Sequence, residues 1–210
     1  MSGKSLAGAA VIGVALLVIT AAHLAAAGYE DLLAQAKRDP AGMDFGALRY
    51  AYAESASYDP YDSAEAELRS AMMKAFSASD CANAIKSAQS IIEKNYVHID
   101  AHATLDVCYG RLDQPEQAKP HELMARGLLG SIMKSGDGKS PKTAFVVISL
   151  AEEYNLMTVL VLKKVRQALI QADGHRYDRF TVESKTGGTD SVFFNIDRLF
   201  GSLEQKLTPR

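Results

Sequence analysis

The stretch Gly136–Ser149, GDGKSPKTAFVVIS, decides how this chain is read. Gly136, Asp137 and Gly138 favour tight turning and Pro141 cannot continue a helix, so the segment opens as a loop. Phe145-Val-Val-Ile148 then makes a short apolar, β-branched run suited to a buried strand. Before this point one helical pattern follows another; after it come the strand signals. Gly138-Lys139-Ser140 has the ending of a phosphate-binding loop, but the first glycine of that motif falls on Met133. The local order is also helix, loop, strand, which leaves no helix N-terminus facing a phosphate. A structural turn is the better reading.

Working outward, the composition narrows the classes. The chain has 210 residues and a formal net charge of −2, and its basic residues are scattered. Nucleic-acid binding therefore lacks its electrostatic footprint. Lys163, Lys164 and Arg166 read as the solvated face of a helix. At the N-terminus Lys4 precedes an uncharged stretch from Ser5 to Gly28, and Ala25-Ala26-Ala27 offers a small-residue cleavage site. The reading is a secretory signal peptide over 1–27, cut after Ala27, with a periplasmic or secreted protein as product. The alternative is a retained anchor helix over 5–27, which would tether the domain to a membrane.

Residues 28–210 read as one α+β domain, helical over 28–135 and mixed over 136–210. Glu30–Lys37 is a short helix stopped at Asp39-Pro40. Asp44 caps the next helix, and Asp62 with Glu65 resembles a capping box for a third. Ser79 or Asp80 caps a helix whose apolar face runs from Cys81 to Ile92. Asp100 starts its partner, with Leu105 and Cys108 facing inward. Asp113 with Glu116 resembles a further box, Pro115 suits a first turn, and Pro120 implies a kink or restart. Beyond Ile148 the pattern predicts a helix from Glu152 to Gln171, ended by Asp173-Gly174. Tyr177–Glu183 and Ser191–Ile196 then form a hairpin about Lys185–Gly188, pairing with the Phe145 strand into a sheet of about three strands.

The segment AHATLDVCYGRLDQPEQA resembles tetratricopeptide repeats over about one and a half units, without the Trp and Leu-Gly of the signature. Such helices cannot bury their faces alone, so the sheet after Gly136 is expected to close one end of their core. Cys81 and Cys108 lie on facing apolar faces of consecutive antiparallel helices, equidistant from the turn at Asn95, and an exported chain meets oxidising conditions. A Cys81–Cys108 disulfide is the expectation, with two buried free thiols as the alternative. His98, His102 and Asp106 share one helix face, but the glutamate of a zincin is missing, and a turn-facing polar pair is preferred to a metal site. Ser140, His175 and Asp178 supply the residue types of nucleophilic catalysis without the surrounding G-x-S-x-G. Tyr50, Tyr52, Tyr58 and Tyr61 form the densest aromatic cluster, read as half-buried packing with a peptide or glycan platform as the functional alternative.

The blocks DFGALRYAYAESASYDPY (44–61), GDGKSPKTAFVVIS with EEY (136–154), GHRYDRFTVE (174–183) and FFNID (193–197) resemble an exported bacterial family, domain of unknown function 4919. The resemblance covers most of the chain after the signal and implies an α+β domain with a tetratricopeptide-like helical part. It implies no activity and no catalytic residues. Asp137, Lys139, His175, Tyr177, Asp178 and Asn195 lie in the matching blocks and are the candidate functional surface. No cofactor or metal is implied. The functional expectation is a non-enzymatic exported module binding an envelope protein or peptide. The alternative is a hydrolase-like or small-ligand site where the 136–142 loop meets 174–178.

Overall fold

A computed structural model describes residues 28–201. The signal-peptide reading falls on residues outside that range. Helices α1 (Tyr29–Arg38), α2 (Phe45–Glu54), α3 (Ser63–Ser77), α4 (Cys81–Lys94), α5 (Ile99–Arg111) and α6 (Pro115–Lys134) precede strand β1 (Phe145–Val146) and helix α7 (Leu150–Val159). Strands β2 (Lys164–Ala172), β3 (His175–Glu183) and β4 (Thr189–Asn195) follow, and residues 197–201 are helical. No helix among the described residues is long and apolar enough to cross a membrane.

The caps show why the helices start where they do. Asp44, Asp62 and Asp80 each accept a hydrogen bond from an amide of the first turn. Glu65 does not reach back to complete a box; both its oxygens take the Asn95 amide instead, at 3.2 and 3.1 Å. The cap of α5 is His98, whose Nδ1 accepts from the Ala101 amide, so the helix begins one residue before Asp100. The box expected at Asp113 is absent. Asp113 takes a left-handed conformation (φ 56°), and Gln114 flanks the helix without a side-chain cap. Pro115 occupies the first turn, and α6 runs on through Pro120 without restarting.

The α+β class holds, and the sheet has four strands among the described residues, in the order β1-β4-β3-β2. β1 lies parallel to β4, and the other two pairings are antiparallel. The helix expected to run from Glu152 to Gln171 is in fact helix then strand. It ends after Val159, Val161 adopts φ 55°, and Lys164–Ala172 pairs with β3. Lys164 and Arg166 therefore sit on an edge strand, a place where charge discourages further pairing. Asp173-Gly174 is a two-residue hairpin turn with φ of 51° and 81°, the geometry that Asp-Gly prefers between antiparallel strands.

The sheet closes the helical half as expected. Phe180, Val182 and Phe194 from the sheet meet Leu48 of α2, Met124, Leu128 and Ile132 of α6, and Leu156 of α7 in one core. A second cluster joins α3, α4 and α5 around Met72, Ile91 and Leu105. The loop before β1 is held by backbone: Asp137 and Gly138 donate to the Thr143 carbonyl, and Phe193 donates to that of Gly138. A side chain at Gly136 would run into the Thr143 and Ala144 carbonyls, which fixes glycine there.

Candidate functional site

A cleft of about 510 Å³ lies between the α2–α3 connection, the first turns of α3, the turn before α5 and the start of α7. Tyr52 and Tyr58 form one wall, packed edge to face with centroids 5.5 Å apart. The Tyr58 hydroxyl donates to the Ile148 carbonyl at 2.5 Å, tying that wall to the segment entering α7. Burial drives both phenol pKa values upward, so both rings stay neutral. Beneath this wall, Arg49 and Glu152 form a buried bidentate pair, and Glu152 also accepts from the Ile148 amide.

The polar lining is uneven. Asp59, Asp62 and Glu65 all contribute to it. Burial raises the Glu65 carboxyl above its ordinary value, and the neighbouring Asp62 and Asp59 add to the shift. His98 is buried, and because its Nδ1 accepts from Ala101, the proton of the neutral ring resides on Nε2. That Nε2–H has no hydrogen-bond partner; the closest carboxylate oxygen, Glu65 Oε1, is 3.8 Å away. Desolvation lowers the His98 pKa to about 4, so the ring is a neutral donor at physiological pH. Asn155 Nδ2 is a second buried donor in the lining without a partner. Arg69 is committed to Asp100, at 2.7 Å. His98 Nε2 and Asn155 Nδ2 are thus two buried donors of the lining that lack acceptors.

The residues singled out from the sequence are distributed elsewhere. Asp137 accepts from the Lys139 amide, and Thr143 and that amide hold its carboxyl below the usual range. The Lys139 ammonium is exposed, 3.8 Å from Asp137. His175 Nδ1 lies 2.6 Å from Asp197, which also accepts from Asn195 at 3.2 Å, and Tyr177 contacts Asn195, so these side chains gather at one end of the sheet. Asp178 is on the opposite, core-facing side, accepting from Gln167 at 2.7 Å and facing Glu153. Ser140 bonds Thr143. The three catalytic residue types are therefore not brought together, because β3 sends His175 and Asp178 to opposite faces.

The helix-face histidines are also internally engaged. His102 Nε2 is 2.8 Å from the Tyr96 carbonyl and must carry the proton, leaving Nδ1 to accept from His121 at 2.9 Å. Asp106 lies toward Glu122 and Lys119 of α6. No group of three or more His, Cys, Asp or Glu side chains placed to hold a metal occurs among the described residues. The tyrosine cluster divides: Tyr52 and Tyr58 line the cleft, while Arg198 covers the Tyr50 ring at 4.5 Å and Tyr61 reaches the Leu199 carbonyl. Cys81 and Cys108 do face each other across α4 and α5, but as buried thiols; the expected bond is not formed.

Arg49, Glu152 and Glu153 were missed by sequence reasoning. One signal was available: Ser149-Leu-Ala-Glu152 matches a capping box, and Ser149 does cap α7. A family model described as Domain of unknown function (DUF4919) matches residues 29–205. Neither a curated protein nor a solved structure matches the chain.

Proposed function

The chain belongs to the family described as domain of unknown function 4919, and from that premise we infer that it is a non-enzymatic module which receives a segment of another polypeptide in its α3–α7 cleft. The observation that carries this reading is the presence of two unused buried donors, His98 Nε2 and Asn155 Nδ2, in one walled cleft. A polypeptide backbone presents carbonyls at regular intervals, so it can supply acceptors to both donors at once. The cleft is lined by helices and by backbone pinned through Tyr58 and Glu152, which limits the ordering needed on binding. The dispersal of Ser140, His175 and Asp178 supports a binding role over a hydrolytic one.

The test is retention of peptides from a mixed protease digest, recovered with the protein by size exclusion and identified by mass spectrometry. Retention is expected, and Ala66→Trp, which fills the cleft from an exposed position of α3, should abolish it. An empty eluate, or equal retention by the variant, overturns the reading. The same proposal places the module outside the cytoplasm, with residues 1–27 removed. Intact mass of protein recovered from the envelope checks this, and a retained N-terminus would make it a tethered component instead.

A further inference from the structure

We propose that the outer edge of β2 is a homodimer interface, at which two copies of the chain pair antiparallel across a two-fold axis at Leu169. β2 is the last strand in the order β1-β4-β3-β2, and no strand pairs with its outer edge among the described residues. The ladder fixes which backbone groups that edge presents. Phe193 donates to Gly138 and Asn195 accepts from Val147, so both turn their peptide groups away from β3. Their partners Arg179 and Tyr177 therefore bond the other way, to Ala168 and Ile170. Gln167, Leu169 and Gln171 are left with amides and carbonyls aimed outward. A bare strand edge recruits another strand unless charge, a bulge or proline prevents it. Here that protection is confined to one end. The bulge lies between Lys164 and Arg166, and no charge follows from Gln167 to Ala172. The Lys164 ammonium is itself engaged, 3.0 Å from the Tyr154 hydroxyl. β2 contributes nothing to the lining of the cleft, so the two surfaces can be tested separately.

A second copy complements this edge in side chains and in charge. With Leu169 on the axis, its side chain, 58% exposed, meets its own counterpart. Ala168 falls opposite Ile170 of the second copy, Gln167 opposite Gln171, and Arg166 opposite Ala172. The two Arg166 residues then stand six positions apart along the ladder, about 20 Å. Asp173, just beyond Ala172, comes to the basic end of the other copy. An axis at Gln167 would instead set the two Arg166 residues diagonally across the ladder, where like charges repel. Pairing of a surface with itself closes at two subunits, and the two four-stranded sheets become one.

The chain is expressed in full, isolated from the envelope and measured by analytical ultracentrifugation. A dimer is expected, and Leu169→Lys should raise its dissociation constant at least roughly tenfold by setting two ammonium groups on the axis. Cysteine substitution reads the register. Leu169→Cys places two thiols across a hydrogen-bonded pair whose Cα atoms lie about 5.5 Å apart, within reach of a disulfide. It should give a covalent dimer under mild oxidation. Val165→Cys should not, since its two copies lie about 26 Å apart in this register. A monomer at every concentration overturns the proposal, as does a dimer that Leu169→Lys leaves intact. Cross-linking by both cysteine variants, or by neither, overturns it as well. Recovery of a different polypeptide on β2 in place of a second copy would also overturn it, and would assign the edge to strand addition by another chain.

Discussion

The guanidinium of Arg49 is shut away from solvent, and each group it touches comes from a different part of the chain. It holds Glu152 with two donors, Ser131 Oγ at 3.1 Å and the Val146 carbonyl at 3.0 Å, so α2, α6, β1 and α7 share one side chain. Removing one partner of such a pair leaves a buried charge without compensation. Arg49→Met should therefore cost about 3–5 kcal/mol, and adding Glu152→Leu should restore most of it, read as urea midpoints. Glu153 is the opposite case. As a carboxylate neither oxygen has a donor, but protonated it can donate to Asp178. Desolvation first, then the Asp178 charge, raise its pKa to about 9. A carboxyl raised in the folded state contributes stability at acid pH that is lost as pH rises from about 4.5 towards 9. Glu153→Gln should raise the thermal midpoint by roughly 5 °C at pH 8.5 and leave it unchanged at pH 4.5.

Among elements, the α4–α5 hairpin has the most direct test. Cys81 and Cys108 are in contact, yet burial and the facing Cys81 push the Cys108 thiol up to about 12. The thiolate is the reactive form, so oxidation should be slow at neutral pH and need an exchange catalyst or copper. Once formed, the bond should stabilise the fold by roughly 3 kcal/mol, visible as a midpoint several degrees higher and as loss of both alkylatable thiols. Unchanged thermal behaviour after quantitative oxidation would show that strain cancels the gain. The β2–β3 hairpin teaches a different lesson. Lys163 to Gln171 carries charges and apolar residues in a mixture that fits helix or edge strand, and its exposed outer edge removes the clean alternation that marks a half-buried strand. Asp173-Gly174 was the decisive local cue, since Asp-Gly between two extended runs favours a hairpin.

At the scale of the whole molecule, the helical layers bury histidines that must stay neutral. His98 is lowered to about 4 and His102 to about 3, both chiefly by desolvation. The groups around them set the rest: Asp100 and Arg69 at His98, and the Tyr96 carbonyl and His121 at His102. The unfolded chain binds protons there at higher pH than the folded one. Stability is therefore present above about pH 6.5 and lost as pH falls through the folded values. Each ring should contribute a slope of about 1.4 kcal/mol per pH unit between pH 6 and 4.5. Urea midpoints across that range check it, and His102→Gln should flatten the curve relative to the parent. Glu153 acts in the opposite direction from about pH 4.5 upwards and offsets one ring's slope, so the optimum should fall near neutrality.

What the sequence determined by itself was local. Apolar spacing placed the helices before Gly136, Asp44, Asp62 and Asp80 announced their caps, and the Phe145 run and the Gly-Gly hairpin announced the sheet. Those features depend on contacts within a few residues, so the order of amino acids is sufficient to encode them. The tertiary structure decided what depends on distant partners. It made β2 a strand by giving it β3 to pair with, separated His175 from Asp178 through the pleat, and enclosed Arg49 against Glu152 across a sequence separation of 103. It also assembled the cleft from Tyr58, Glu65, His98 and Asn155, which belong to four separate segments. None of these residues is unusual in its own neighbourhood. Their chemistry arises from burial and from the groups that the fold sets opposite them.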